Sequence, residues 1–106
     1  MSEPSHQLVI QFPEAAFSNF DDLVAYEDSL CGALGDRHEV DGHDLGSGEV
    51  NFFVFTDDPE GAVAKIRDAE DGLLAHRDVR AAARLLEGED FRLLWPVGDT
   101  KEFTIL

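Results

Sequence analysis

The chain has 106 residues and sets 23 Asp and Glu against 8 Lys and Arg, for a formal charge of −15. That length makes residues 1–106 a single domain and excludes a two-domain enzyme, while 43% hydrophobic residues with eight Phe, one Tyr and one Trp can fill one core without disulfide or metal staples. A field of that sign repels phosphate backbones and anionic lipid, so the charge speaks against nucleic acid and membrane and leaves a basic protein, a cation or simple solubility compatible.

The charge is unevenly placed. Residues 1–60 hold 14 acids and one base, Arg37, for −13, whereas residues 61–106 hold 9 acids and 7 bases, for −2. An excess of Arg over Lys of six to two is also what GC-rich coding or salt adaptation produces without any partner. The start, MSEPSHQLVIQF, lacks a basic stretch followed by a long apolar one, and no apolar run approaches the roughly 18 residues that span a bilayer. A lone cysteine, Cys31, forms no intrachain disulfide, and the expectation is a reduced, partly buried thiol in a cytoplasmic protein.

In chain order, residues 7–12 alternate Leu8, Ile10 and Phe12 with Gln7, Val9 and Gln11, the period of two that marks a strand, and Pro13 stops it. Ser18 or Asn19 caps a helix with Asp21 and Asp22 in its first turn, where negative charge meets the positive end of the helix dipole. Phe20, Leu23, Val24, Leu30, Cys31 and Leu34 form its expected apolar face and Gly35 ends it. Residues 37–44 and 49–56 read as a hairpin turning at Leu45-Gly46-Ser47-Gly48. In its second strand Val50, Phe52 and Val54 face one way and Phe53 and Phe55 the other, so that strand belongs inside the sheet and the polar first strand at its edge.

Asp57-Asp58-Pro59-Glu60 announces a helix, with an acidic cap and Pro in the first turn, a buried stripe of Ala62, Val63, Ile66 and Ala69, and Gly72 as its end. Val79, Ala82, Ala83 and Leu86 suggest a further helix over 78–87. FRLLWPV and EFTIL, either side of residues 97–100, read as two strands. The expected fold class is α+β: a ferredoxin-like βαββαβ sandwich with a C-terminal helix and a short terminal strand.

Chemistry-bearing constellations are few. His38, Asp41 and His43 are ligand types suited to zinc or a harder cation, but His38 and His43 have opposite parity on a strand unless Gly42 marks a bulge, so no metal and no cofactor is expected. Gly46-Ser47-Gly48 leads into a strand with no Lys-Ser/Thr after it, which is turn chemistry and not a phosphate loop. Cys31 sits mid-helix with no basic neighbour in sequence to lower its pKa, and no acid, base or nucleophile set stands out, so the chain reads as a non-enzyme. Arg77, Arg80 and Arg84 recur at helical spacing beside His76, suited to an anion or to intramolecular pairing. Phe53 and Phe55, with Trp95, mark a second sheet face to be covered by the C-terminal segment, a ligand or a second subunit.

The stretch VDGHDLGSGEVNFFVFTDDPEGAVAKI together with FRLLWP resembles small uncharacterised bacterial proteins with a ferredoxin-like fold; the resemblance implies that fold and carries no catalytic motif. Two functional expectations follow. One is a soluble acidic binding module, of the inhibitor or immunity kind, whose Asp41, Asp44 and Glu49 engage a basic protein. The other is a dimeric small-molecule-binding regulatory domain, similar in topology to ACT-like domains, with a pocket or homodimer face at Phe53, Phe55 and Trp95.

Overall fold

The computed structural model describes residues 4–35, 38–46, 48–69, 74 and 78–96. The alternation read in the first strand holds: β1 (His6–Pro13) turns Leu8, Ile10 and Phe12 into a core beneath two helices and Gln7, Val9 and Gln11 to the opposite face. After a 3-10 turn at Glu14–Ala16, α1 (Phe20–Leu34) starts at Asn19, whose side chain accepts a hydrogen bond from the Asp22 backbone N–H at 2.9 Å. It ends where Gly35 takes φ 65°, a left-handed conformation that a residue with a Cβ adopts at a cost.

The buried stripe of α1 runs through Leu23, Leu30 and Leu34, with Tyr26 packed against it. At about 100° per residue, Cys31 lies too far round from Leu30 to share that stripe. Cys31 is exposed and Phe20 is 60% exposed, which corrects the expectation of a packed thiol and of a buried Phe20. Tyr26 takes their place: its ring centroid lies 4.9 Å from that of Phe12 and 4.8 Å from that of Phe52, with Phe17 edge-on at 5.2 Å from Phe12.

β2 (Glu39–Gly46) and β3 (Glu49–Thr56) form the expected hairpin, with β2 as an edge strand and a register shift between Val40 and Gly42. α2 (Pro59–Asp68) follows its acidic cap: the Asp58 Oδ1 accepts from the Gly61 N–H at 3.1 Å, and Pro59, Ala62, Val63 and Ile66 are buried.

The helix expected over 78–87 is a strand, β4 (Arg80–Leu85), antiparallel to β1 from His6↔Leu85 to Gln11↔Arg80. Val79, Ala81 and Ala83 alternate into the core, a period of two hidden by the helix-favouring alanines. FRLLW supplies β5 (Arg92–Trp95), which adds an outer strand beside β4. The C-terminal helix of the expected fold is therefore replaced by a sheet strand. Gly72, Arg77, the 97–100 turn and the EFTIL strand lie outside the described residues.

The result is an α+β domain with a five-stranded antiparallel sheet in the order β2-β3-β1-β4-β5. Both helices share one face, with α1 over the β2 side and α2 over β1 and β5. No helix among the described residues is long and apolar enough to cross a membrane.

Candidate functional site

Because α1 covers the β2 side, the charge asymmetry along the chain becomes an asymmetry across the sheet. Four acids in α1, three in β2 and one in β3 are accompanied by no Lys or Arg within those elements. Lys65, Arg67, Arg80, Arg84 and Arg92 all lie on α2, β4 and β5. On the acidic side, Asp21, Asp22, Asp28, Glu39, Asp41 and Asp44 are exposed and make no ion pair among the described residues. On the other side Glu60 is paired with Arg92 and Asp68 with Arg67, while Glu87, Glu89 and Asp90 in the β4–β5 connection are exposed and make no ion pair among the described residues. The Arg92 hydrogen bond holds the Glu60 carboxyl below its ordinary range, and Arg67 does the same to Asp68.

Of the three acids expected to meet a partner, Asp41 and Asp44 are exposed on the edge strand. Glu49 is half-buried, with its Oε1 enclosed and without a hydrogen-bond partner among the described residues. The candidate metal ligands do not converge. His38 is buried with its Nδ1 2.6 Å from the Thr56 hydroxyl, while the His43 Nδ1 lies 2.9 Å from the Glu27 carboxylate. Among the described residues no three His, Cys, Asp or Glu gather in one place. The exposed Cys31 has its thiol pKa raised, by burial first and then by the charges of Glu27 and Asp28, which keeps it protonated and a poor nucleophile. Burial likewise pushes the Tyr26 phenol well above its ordinary value.

The arginines expected as an anion stripe separate. Arg77 lies outside the described residues. Arg84 is bound internally: its Nε donates to the Gln7 Oε1 at 3.1 Å, and one terminal nitrogen donates to the carbonyls of Leu85, Leu86 and Gly88 at 3.1 to 3.2 Å. Arg80 and Arg84 do share a face, because a spacing of four preserves parity on a strand as well as position on a helix.

That second face is built of three rows crossing the strands. Glu39, Phe55, Gln7 and Arg84 form one; Gly42, Phe53, Val9, Ala82 and Leu93 the next; Asp44, Asn51, Gln11 and Arg80 the third. Its centre is closed within the single chain: Val9 and Ala82 are fully buried against Phe53, Phe91 and Leu93. Asn51 and Gln11 are buried as well, joined by a 3.0 Å hydrogen bond from the Gln11 amide to the Asn51 carbonyl oxygen. The face expected to be covered by the C-terminal segment, a ligand or a second subunit is thus enclosed at its middle within the single chain. Phe53 and Phe55 share it, but Trp95 does not. A register shift in β5 pairs Trp95 with Ala81 and packs it, with Leu94, against the core under the helices.

One feature escaped the sequence. At the acidic end, a cleft of about 220 Å³ opens between the start of α1 and the hairpin, lined by Glu14, Phe17, Phe20, Leu23, Leu45 and Val50, with Ser18 and Asn19 at its polar side. Phe20 and Leu45, 60% and 47% exposed, are large apolar side chains on its walls. The Phe20 ring meets the His43 ring edge-on at 5.9 Å, and His43 is itself tied to Glu27. A Phe at the first position after the helix cap and a Leu entering a turn were the available signals.

Compared with protein-family models, with curated proteins and with solved structures, the chain matches none.

Proposed function

We propose that this chain is a non-enzymatic acidic binding module on a ferredoxin-like frame that engages a basic protein through α1 and the β2 edge. The frame is supported by the order β2-β3-β1-β4 of the first four strands, all antiparallel, with a helix after β1 and another after β3; β5 is an addition at the edge. The observation that carries the functional reading is the separation of charge across the sheet: six exposed acids on α1 and β2 with no ion pair among the described residues and no Lys or Arg on those elements, against five Lys and Arg on α2, β4 and β5. Such a field steers a positively charged partner onto one edge and fixes its orientation. Edge acids and the bulge beside Gly42 also discourage pairing of β2 with a second copy of itself.

The test is titration with an octalysine peptide, followed residue by residue by NMR. Shifts confined to α1 and β2, and affinity that falls steeply between about 20 mM and about 150 mM salt, are expected. Affinity indifferent to salt, or shifts spread over α2 and β5, would overturn the assignment. Association as fast after Asp21, Asp22, Asp28, Asp41 and Asp44 are changed to Asn would also overturn it.

A further inference from the structure

Resting on that reading, we propose that the cleft between the start of α1 and the β2–β3 hairpin is the docking point for a basic segment of the partner, and that it takes one aliphatic or aromatic side chain flanked by Lys or Arg. Three features of the cleft converge on this occupant. At about 220 Å³ it is smaller than the roughly 300–1,000 Å³ of drug-sized ligand pockets and suits a single apolar side chain. Its floor and walls are Phe17, Phe20, Leu23, Leu45 and Val50, so what it rewards is apolar area.

Its charge has one sign. Among the described residues Glu14 is the sole charged residue in the lining and no Lys or Arg lines it, and Asp21 and Asp22 follow Phe20 directly on the first turn of α1. An anionic ligand would meet repulsion there; a side chain with cationic neighbours meets attraction on both flanks. The rim is also held in place before binding, since Phe20 packs on His43 and His43 is tied to Glu27 by a 2.9 Å contact, which lowers the ordering cost of association. The other exposed apolar pair, Leu85 and Leu86 at the end of β4, lines a hollow with Pro4, Ser5, Glu87 and Gly88, and there the Arg84 guanidinium is bound to the carbonyls of Leu85, Leu86 and Gly88, so the charge beside it is of mixed sign.

Two peptides separate this proposal from the broader one: octalysine, and the same peptide with a central lysine replaced by leucine. The leucine peptide is expected to bind the wild-type chain about tenfold more tightly despite its smaller charge, as burial of one apolar side chain requires. That gain is expected to vanish in Phe20→Ala and in Leu45→Ser while both variants bind octalysine as the wild type does. Both residues are largely exposed, so neither change removes core packing, and unchanged far-UV circular dichroism checks this. Equal affinity of the wild type for the two peptides, or a gain that survives both substitutions, overturns the docking point and leaves the acidic face standing. Binding of neither peptide at low salt overturns both.

Discussion

Replacing Arg84 by Met decides whether the arginines of β4 serve the fold or wait for an anion. Methionine keeps much of the apolar stem and removes the guanidinium, so lost packing is kept small. What goes is the Nε bond to Gln7, the sharing of one terminal nitrogen among the carbonyls of Leu85, Leu86 and Gly88, and a position 6.0 Å from the centre of the Phe91 ring. That nitrogen has two hydrogens for three carbonyls, and Leu85 and Leu86 are exposed enough for water to replace part of the loss. Two to three net hydrogen bonds at about 0.5 kcal/mol each, with about 0.5 kcal/mol for the aromatic contact, give a cost of about 2 kcal/mol. For a domain of this size that lowers the melting temperature by about 8 °C or more. Arg84→Lys keeps the charge without the planar fork and is expected to recover less than half of the loss. Urea unfolding followed by circular dichroism measures both. A loss below about 0.5 kcal/mol, with sulfate stabilising the wild type but not the Met variant, would refute the internal role and restore an anion site.

Gly61→Ala, a change that ordinarily stabilises a helix, is expected to destabilise this one by about 1 kcal/mol, because the new Cβ falls 2.1 Å from the Asp58 Oδ2 and displaces the cap; in an Asp58→Ala background the same change becomes stabilising, and urea midpoints of the four proteins test the reversal. Cys31, though exposed, is expected to react with a disulfide reagent near pH 8 more slowly than a thiol in an unstructured peptide, and Asp28→Asn to speed it; equal rates in all three would contradict the raised pKa. Glu60 has a folded-state pKa held below the ordinary 4.5 by Arg92, so its contribution is present above the unfolded value and is lost as pH falls through the folded one. Both side chains are more than half exposed, so the stability gap between wild type and Glu60→Gln is expected to stay under about 1 kcal/mol at neutral pH and to close as the pH falls below the ordinary 4.5; a gap that widens in acid would reverse the sign of this argument.

The elements legible in the sequence are those whose period is unambiguous. Leu8, Ile10 and Phe12 fit only a strand, the Asp58-Pro59-Glu60 start fits only a helix, and the two apolar faces of Val50 to Phe55 require a strand with a neighbour on each side. β4 was hidden because its evidence is degenerate: Arg80 and Arg84 satisfy both a helical turn and strand parity, and three successive alanines favour the helix locally. What makes it a strand is pairing with β1 some 70 residues earlier, a non-local term that local propensity does not contain. The placement of Trp95 depends on a single register shift in β5, and a shift of one residue sends a side chain to the other face. The cleft was hidden for a similar reason: the apolar character of Phe20 and Leu45 is visible in the sequence, but their exposure depends on how α1 meets the hairpin.

The pairing of β4 with β1 also decides what the charge asymmetry means. β1 is the middle strand, and the hairpin is laid down on one side of it and β4 on the other. Everything between β1 and α2 therefore accumulates on the acidic side, with α1 above it and β2 as its edge, while the arginines of β4 and β5 are carried to the opposite side. Had residues 78–87 formed a surface helix, their arginines would have been free to pack over the acids of α1 and neutralise them. As a strand anchored through Gln7 and the 85–88 turn, Arg84 is held away from them. The exposed acids beside the Phe20–Leu45 cleft are thus a consequence of topology, and on the proposed reading the same topology sets the edge from which a basic partner would approach.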